Sequence, residues 1–120
     1  ASGPGVDNAS LSNAGVVAGP DTLLAIDTLG PPIHAKAFKA AAEAATRKRF
    51  GRVVNTHHHW DHAGGLRAAY AEGATIVTNE INKNFYERVI LVPQSRTLSP
   101  DRLSMAPFAT TGPGPGKLET

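Results

Sequence analysis

Residues 53–65 read Val53-Val54-Asn55-Thr56-His57-His58-His59-Trp60-Asp61-His62-Ala63-Gly64-Gly65. The run Arg52-Val53-Val54-Asn55-Thr56 reads as a short buried strand, rich in β-branched residues. The chain has 5 histidines, and four of them fall between positions 57 and 62. Random placement almost never does that. Side chains alternate across an extended segment, so His57 and His59 can point one way while His58 and Trp60 point elsewhere. A turn into a helix near Asp61 would bring Asp61 and His62 to the same region from another angle. Neutral imidazoles and a carboxylate suit zinc and, less strictly, iron or manganese. His57, His59, Asp61 and His62 are therefore the candidate metal ligands. Adjacent histidines also occur in affinity tags, but tags sit at termini, and this run is internal and follows a Val-Val strand. His34 stands alone and reads as an ordinary surface or core residue.

Outward from that stretch, the chain alternates strands and helices. Val16-Val17 and Leu23-Leu24-Ala25-Ile26 are short strands about the turn signal Gly19-Pro20-Asp21, which predicts a hairpin. The second of them ends at Asp27-Thr28. Residues 34–49 carry Phe38, Ala42 and Ala45 at helical spacing among strong helix formers. Arg47, Lys48 and Arg49 are expected in its last turn as a solvated helix end rather than an anion site, with Gly51 as the stop. After the histidines, Leu66, Ala69 and Tyr70 predict a brief helix stopped by Gly73. Thr75-Ile76-Val77-Thr78 predicts a strand, and Asn79 caps a helix carrying Ile81, Phe85 and Val89 on one face. Gly64 and Gly65 open the helix after the ligand loop, where close packing or positive φ is expected. The order predicts an α/β class. Residues 1–12, with the sequon Asn8-Ala9-Ser10, read as a flexible lead-in, 13–92 as the folded part, and 93–120 as an irregular, linker-like tail.

Composition narrows the function classes. The 120 residues make one domain at most. A net charge of +2 is too slight a bias for nucleic acid, and an aromatic share of 6% argues against a base-stacking platform. No apolar run approaches the roughly 20 residues needed to span a bilayer, and no stretch reads as a signal peptide. The expectation is no nucleic-acid partner and no membrane partner. Zero cysteines exclude disulfides, a thiol nucleophile and thiolate metal ligands.

Thr56-His57-His58-His59-Trp60-Asp61-His62-Ala63-Gly64-Gly65 resembles the H-x-H-x-D-H signature of the metallo-β-lactamase-fold hydrolase superfamily. Upstream, residues 13–21 followed by Leu23-Leu24-Ala25-Ile26-Asp27-Thr28 resemble the opening hairpin of that family, whose second strand ends in an aspartate that Asp27 matches. The resemblance covers residues 13 to about 92. It implies the N-terminal αβ half of an αβ/βα sandwich with a two-metal site at the sheet edges. His57 and His59 match ligands of the first metal, and Asp61 and His62 match ligands of the second. Asp61 also matches the carboxylate that handles protons. Asp27 matches an aspartate that supports the site loop, a common role for carboxylates near metal-bound histidines. His58 and Trp60 fall on variable positions.

The implied activity is hydrolysis of an ester, thioester, lactam or phosphodiester in a small-molecule substrate. The nucleophile is a hydroxide on one or two zinc ions, which lower the pKa of bound water to about 7. The family places further ligands downstream, and no histidine follows His62 in this sequence. That departure implies an N-terminal half that pairs with a missing C-terminal half or with a second copy. Val16, Leu24, Ile26, Val53 and Ile76 are expected near the pairing face. It also keeps open a non-catalytic metal-binding fragment or a pseudo-enzyme half.

Overall fold

A computed structural model of the chain describes residues 12–96, 98–105 and 115–120. Residues 1–11, which hold the sequon and most of the expected lead-in, and 106–114 lie outside the described residues. Five strands form one sheet in sequence order: β1 (Gly15–Ala18), β2 (Leu23–Ile26), β3 (Phe50–Val54), β4 (Thr75–Val77) and β5 (Leu118–Glu119). β1 and β2 are the antiparallel hairpin expected from Gly19-Pro20-Asp21, closed by the Gly19 amide donating to the Thr22 carbonyl at 2.9 Å. β2, β3, β4 and β5 then run parallel, each to the next. Parallel neighbours need crossovers. Helix α1 (Pro32–Thr46) supplies the first, and α2 (Trp60–Ala63) with α3 (Leu66–Ala71) the second.

One row of paired residues crosses the sheet as Val16, Ala25, Val53, Ile76 and Leu118. This row faces the helices. Ala25, Val53 and Ile76 pack with Leu66, Ala69, Ala74, Tyr86 and Leu91 into the core. Burying each larger side chain there contributes about 1.5–3 kcal/mol. The adjacent rows put Val17, Leu24, Ile26, Val54 and Val77 on the opposite face, where Val17 and Ile26 are exposed. Of the residues expected near a pairing face, Leu24 and Ile26 are therefore on the open side. Val53 and Ile76 are fully buried under the helices, because strand alternation puts them one residue out of phase with Ile26 and Val77.

Four expectations are corrected. Helix α1 starts at Pro32, a residue whose fixed φ suits the first helical position, and ends at Thr46 rather than Arg49. Arg47 takes the left-handed conformation (φ 55°), and its amide donates to the Glu43 carbonyl at 2.7 Å. The basic triplet thus lies beyond the helix, and Lys48 donates from Nζ to the Gly19 carbonyl across the hairpin turn. Gly51 is not a helix stop but a residue of β3 packed against Thr22. After the Asn79 cap, which accepts from the Ile81 amide at 3.0 Å, the helical segment is not a uniform α-helix. It runs as a 3₁₀ turn (Glu80–Asn82), α4 (Lys83–Phe85) and a π-helical turn (Tyr86–Ile90). The wider turn directs Tyr86 and Leu91 into the core and leaves Ile81, Phe85 and Val89 exposed. Finally, the segment expected to be irregular contributes β5 and buries Leu103.

Arg67 on α3 holds part of that segment. It donates to the Ile90 and Val92 carbonyls at 2.7 and 2.6 Å, to Asp101 at 2.6 and 3.0 Å, and to Ser104 Oγ at 2.9 Å. The Arg67 guanidinium lowers the Asp101 carboxyl to about 2. A depressed folded-state pKa gives stability that is present above the unfolded value and is lost as pH falls through the folded one. The urea midpoint of Asp101→Asn should therefore lie below wild type at neutral pH. The gap should close between pH of about 4, the ordinary aspartate value, and about 2. Urea melts at four pH values check this, and a gap independent of pH would contradict it.

Candidate metal centre

The histidines begin where β3 ends, beside the end of β2. The Asp27 amide donates to the Val54 carbonyl at 2.8 Å, and the Asn55 amide to the Val77 carbonyl at 2.8 Å. The ladder thus continues one residue past each strand and fixes Asp27 and Asn55 side by side. Asp27 has φ 58° and Leu29 φ 64°. The left-handed region costs an L-residue roughly 1–2 kcal/mol, so this turn persists only because its neighbours hold it. They do so at both ends. Thr28 donates from its amide to the His62 carbonyl at 2.9 Å, and the Gly65 amide donates to Thr28 Oγ1 at 2.9 Å. The Gly64 amide donates to the Leu29 carbonyl at 2.9 Å.

Asp27 is buried, and its carboxylate accepts four hydrogen bonds. Oδ1 takes the Thr56 amide at 2.8 Å and Asn55 Nδ2 at 3.0 Å. Oδ2 takes Thr56 Oγ1 at 2.8 Å and His62 Nδ1 at 2.9 Å. Donor bookkeeping then assigns the histidine tautomers. The Thr56 hydroxyl spends its one hydrogen on Asp27, so at the 2.9 Å contact with His57 Nδ1 it accepts. Both His57 and His62 thus carry their hydrogen on Nδ1 and leave the Nε2 lone pair free. Metal-binding imidazoles are held in this way by an oxygen acceptor on the other nitrogen.

The structure brings the sequence-predicted residues together. The ring centroids of His57 and His59 are 4.8 Å apart, and those of His57 and His62 are 4.2 Å apart. Asp61 Oδ2 lies 3.4 Å from His62 Nε2, from the first turn of α2. Two acceptor atoms thus face each other there. His58 packs edge-on against Phe85 at 5.4 Å, and Trp60 covers Gly30. In chemical kind the four donors fit a divalent transition metal. In position, no group of three or more His, Asp or Glu side chains among the described residues is arranged to hold one ion. Asn55 and Thr56 join the hydrogen-bond network behind the histidines, and the histidine pattern does not single them out. Their position between a strand end and the first histidine is the available signal.

Gly64 and Gly65 have φ of −61° and −99°, so their backbone needs no left-handed freedom. Closeness is the reason for both. A Cβ on Gly64 would sit 1.6 Å from the Gly30 carbonyl oxygen, and one on Gly65 2.8 Å from Ala35 Cβ. Gly64→Ala should force the Leu29–Gly30 turn away from α2 and cost about 3 kcal/mol, at the upper end of ordinary overpacking. A urea melt reads this directly, and an unchanged midpoint would contradict the close approach.

The family model described as "Metallo-beta-lactamase superfamily" matches residues 7–116. No curated protein matches the chain significantly.

Proposed function

We propose that this chain, which belongs to the metallo-beta-lactamase superfamily, is a metal-dependent hydrolase acting on an ester, thioester, lactam or phosphodiester in a small-molecule substrate. The observation that carries the reading is the pair of imidazoles, His57 and His62, whose Nε2 lone pairs are freed by Asp27 and Thr56 beside the Asp61 carboxylate. His57 and His59 on one side, and Asp61 and His62 on the other, would hold one or two zinc ions. A bound divalent ion supplies the positive charge that acidifies water and polarises the scissile bond.

The chain supplies the rest. Asp27 and Thr56 keep the hydrogens of His62 and His57 on Nδ1. Asp61 Oδ2 orients the attacking water and accepts its proton. General-base action of this kind is worth about 100-fold or more in rate.

Metal content measured after purification without an affinity column tests the reading. Wild type should retain zinc, and His57→Ala combined with His59→Ala should lose it; equal metal in both would sink the proposal. Ester, thioester, lactam and phosphodiester substrates then separate catalysis from storage. Asp61→Asn should cut turnover by about 100-fold. Bound zinc without turnover on any of them would favour the second reading, a metal-binding chain that does not catalyse.

The support from Asp27 is separately measurable. Asp27→Ala should weaken zinc binding by about 10–100-fold, the usual cost of losing a hydrogen-bond partner of a metal-bound histidine. Chelator competition reads it, and an unchanged dissociation constant would reduce Asp27 to a strand-end residue.

A further inference from the structure

Tyr86 belongs to the π-helical turn, is fully buried and carries a hydroxyl that the proposed reaction does not use. That hydroxyl is hydrogen-bonded to Asn55 Oδ1. The direction of this bond is settled by its neighbours. Asn55 faces two groups that can only accept, the Asp27 carboxylate at 3.0 Å and the His62 carbonyl at 3.3 Å. Its Nδ2 must point at them and spends both hydrogens there. Oδ1 is thereby turned toward Tyr86, and the phenol donates. Burial pushes the Tyr86 phenol up, partly opposed by the Thr78 hydroxyl beside it and reinforced by the charge of Asp27.

The bonds form one directed chain. Tyr86 donates to Asn55, Asn55 donates to Asp27, and Asp27 accepts from His62 and from Thr56, which accepts from His57. We propose that Tyr86 is a positioning residue of the candidate metal centre, acting through Asn55 and Asp27 to hold His57 and His62 in the Nδ1–H tautomer. Without the hydroxyl, Asn55 Oδ1 is a buried acceptor with no donor. The amide cannot simply flip, because its oxygen would then oppose the Asp27 carboxylate. It must shift instead, and Asp27 loses a donor that fixes its plane. Free histidine side chains favour the hydrogen on Nε2, so Nδ1–H on two neighbouring rings is a signature of the network rather than of the residue type. The functional meaning of this inference rests on the metal-site reading, whereas its geometry does not.

The experiment is nitrogen NMR of ¹⁵N-histidine-labelled, metal-free protein at pH about 8.5, roughly two units above the ordinary imidazole value. In wild type, His57 and His62 should show Nδ1–H, with His34 as an internal reference. In Tyr86→Phe, which keeps the ring and removes only the hydroxyl, both signals should move toward Nε2–H. Zinc affinity by chelator competition should fall about tenfold or more. The tautomer readout decides: unchanged tautomers in a folded Tyr86→Phe overturn the proposal, whatever happens to the melting temperature. If that variant does not fold, the unsubstituted protein supplies the test. A slowly exchanging Tyr86 hydroxyl proton in contact with the Asn55 amide supports the proposal, and a freely exchanging one overturns it. If wild type binds no zinc, the metal-site reading fails while the tautomer comparison still decides this one.

Discussion

The carboxylate of Asp27 is the interaction on which the site depends. It is buried at the end of β2, and four donors from three residues after β3 converge on it. A buried charge is costly unless it is hydrogen-bonded. Here the four bonds offset that cost and also tie the first crossover to the second, since Asp27 precedes α1 while His62 lies in α2. Removing any one donor leaves the charge less well compensated in a medium where that matters most. The same group therefore holds the turn together and sets the hydrogen positions of the histidines.

The location follows from the parallel sheet. β2, β3 and β4 all run the same way, so Asp27, Asn55 and Thr78 emerge at one edge, the carboxyl edge. Open α/β sheets place their ligand sites at that edge. What is particular to this chain is how closely the turns there are packed. Gly64 lies against the Gly30 carbonyl and Trp60 against the Gly30 α-carbon. The left-handed residues Asp27 and Leu29 are thus locked between β3 and α2. The strain of this turn sits directly behind the histidine loop, at the residue whose carboxylate accepts from His62 and at Leu29, whose carbonyl accepts from Gly64.

Much of this was legible in the sequence, and the failures have identifiable causes. The clustering of His57, His59 and His62, the Gly19-Pro20-Asp21 hairpin and the Asn79 cap could be read because each is a local pattern, whereas the hydrogen bond from His62 to Asp27 could not, because it joins residues 35 apart in sequence. The end of α1 was misplaced because Arg47 has high helix propensity, and nothing local shows that it turns left-handed. The π-helical turn was missed because Phe85 and Val89 fit an α-helical stripe. The buried Tyr86 and Leu91 are explained by contacts with Val53 and Leu66, far away in sequence. β5 was missed because two residues next to a Gly-Pro run carry no strand signal, and the pairing with Ile76 and Val77 supplies the element. Close contact, not φ, explains Gly64, a distinction that needs the Gly30 carbonyl in view.

The residue types along the network are constrained by hydrogen-bond polarity more than by size. Asp27 must accept at all four contacts, which a carboxylate does and an amide of the same shape cannot, because one of its atoms would present hydrogens to two donors. Thr56 must donate to Asp27 and accept from His57, so its position calls for a hydroxyl. Asn55 must donate twice and accept once, which suits an amide and excludes a carboxylate beside Asp27. Tyr86 must donate from within the core, and a phenol delivers that hydrogen on an otherwise apolar ring that fills the space under β3 and β4. Each choice fixes the next, and the sequence of donors and acceptors ends on Nε2 of His57 and of His62. The hydrogen positions on these two rings are thus set by residues that lie behind them, Asp27 and Thr56 directly and Asn55 and Tyr86 one step further back.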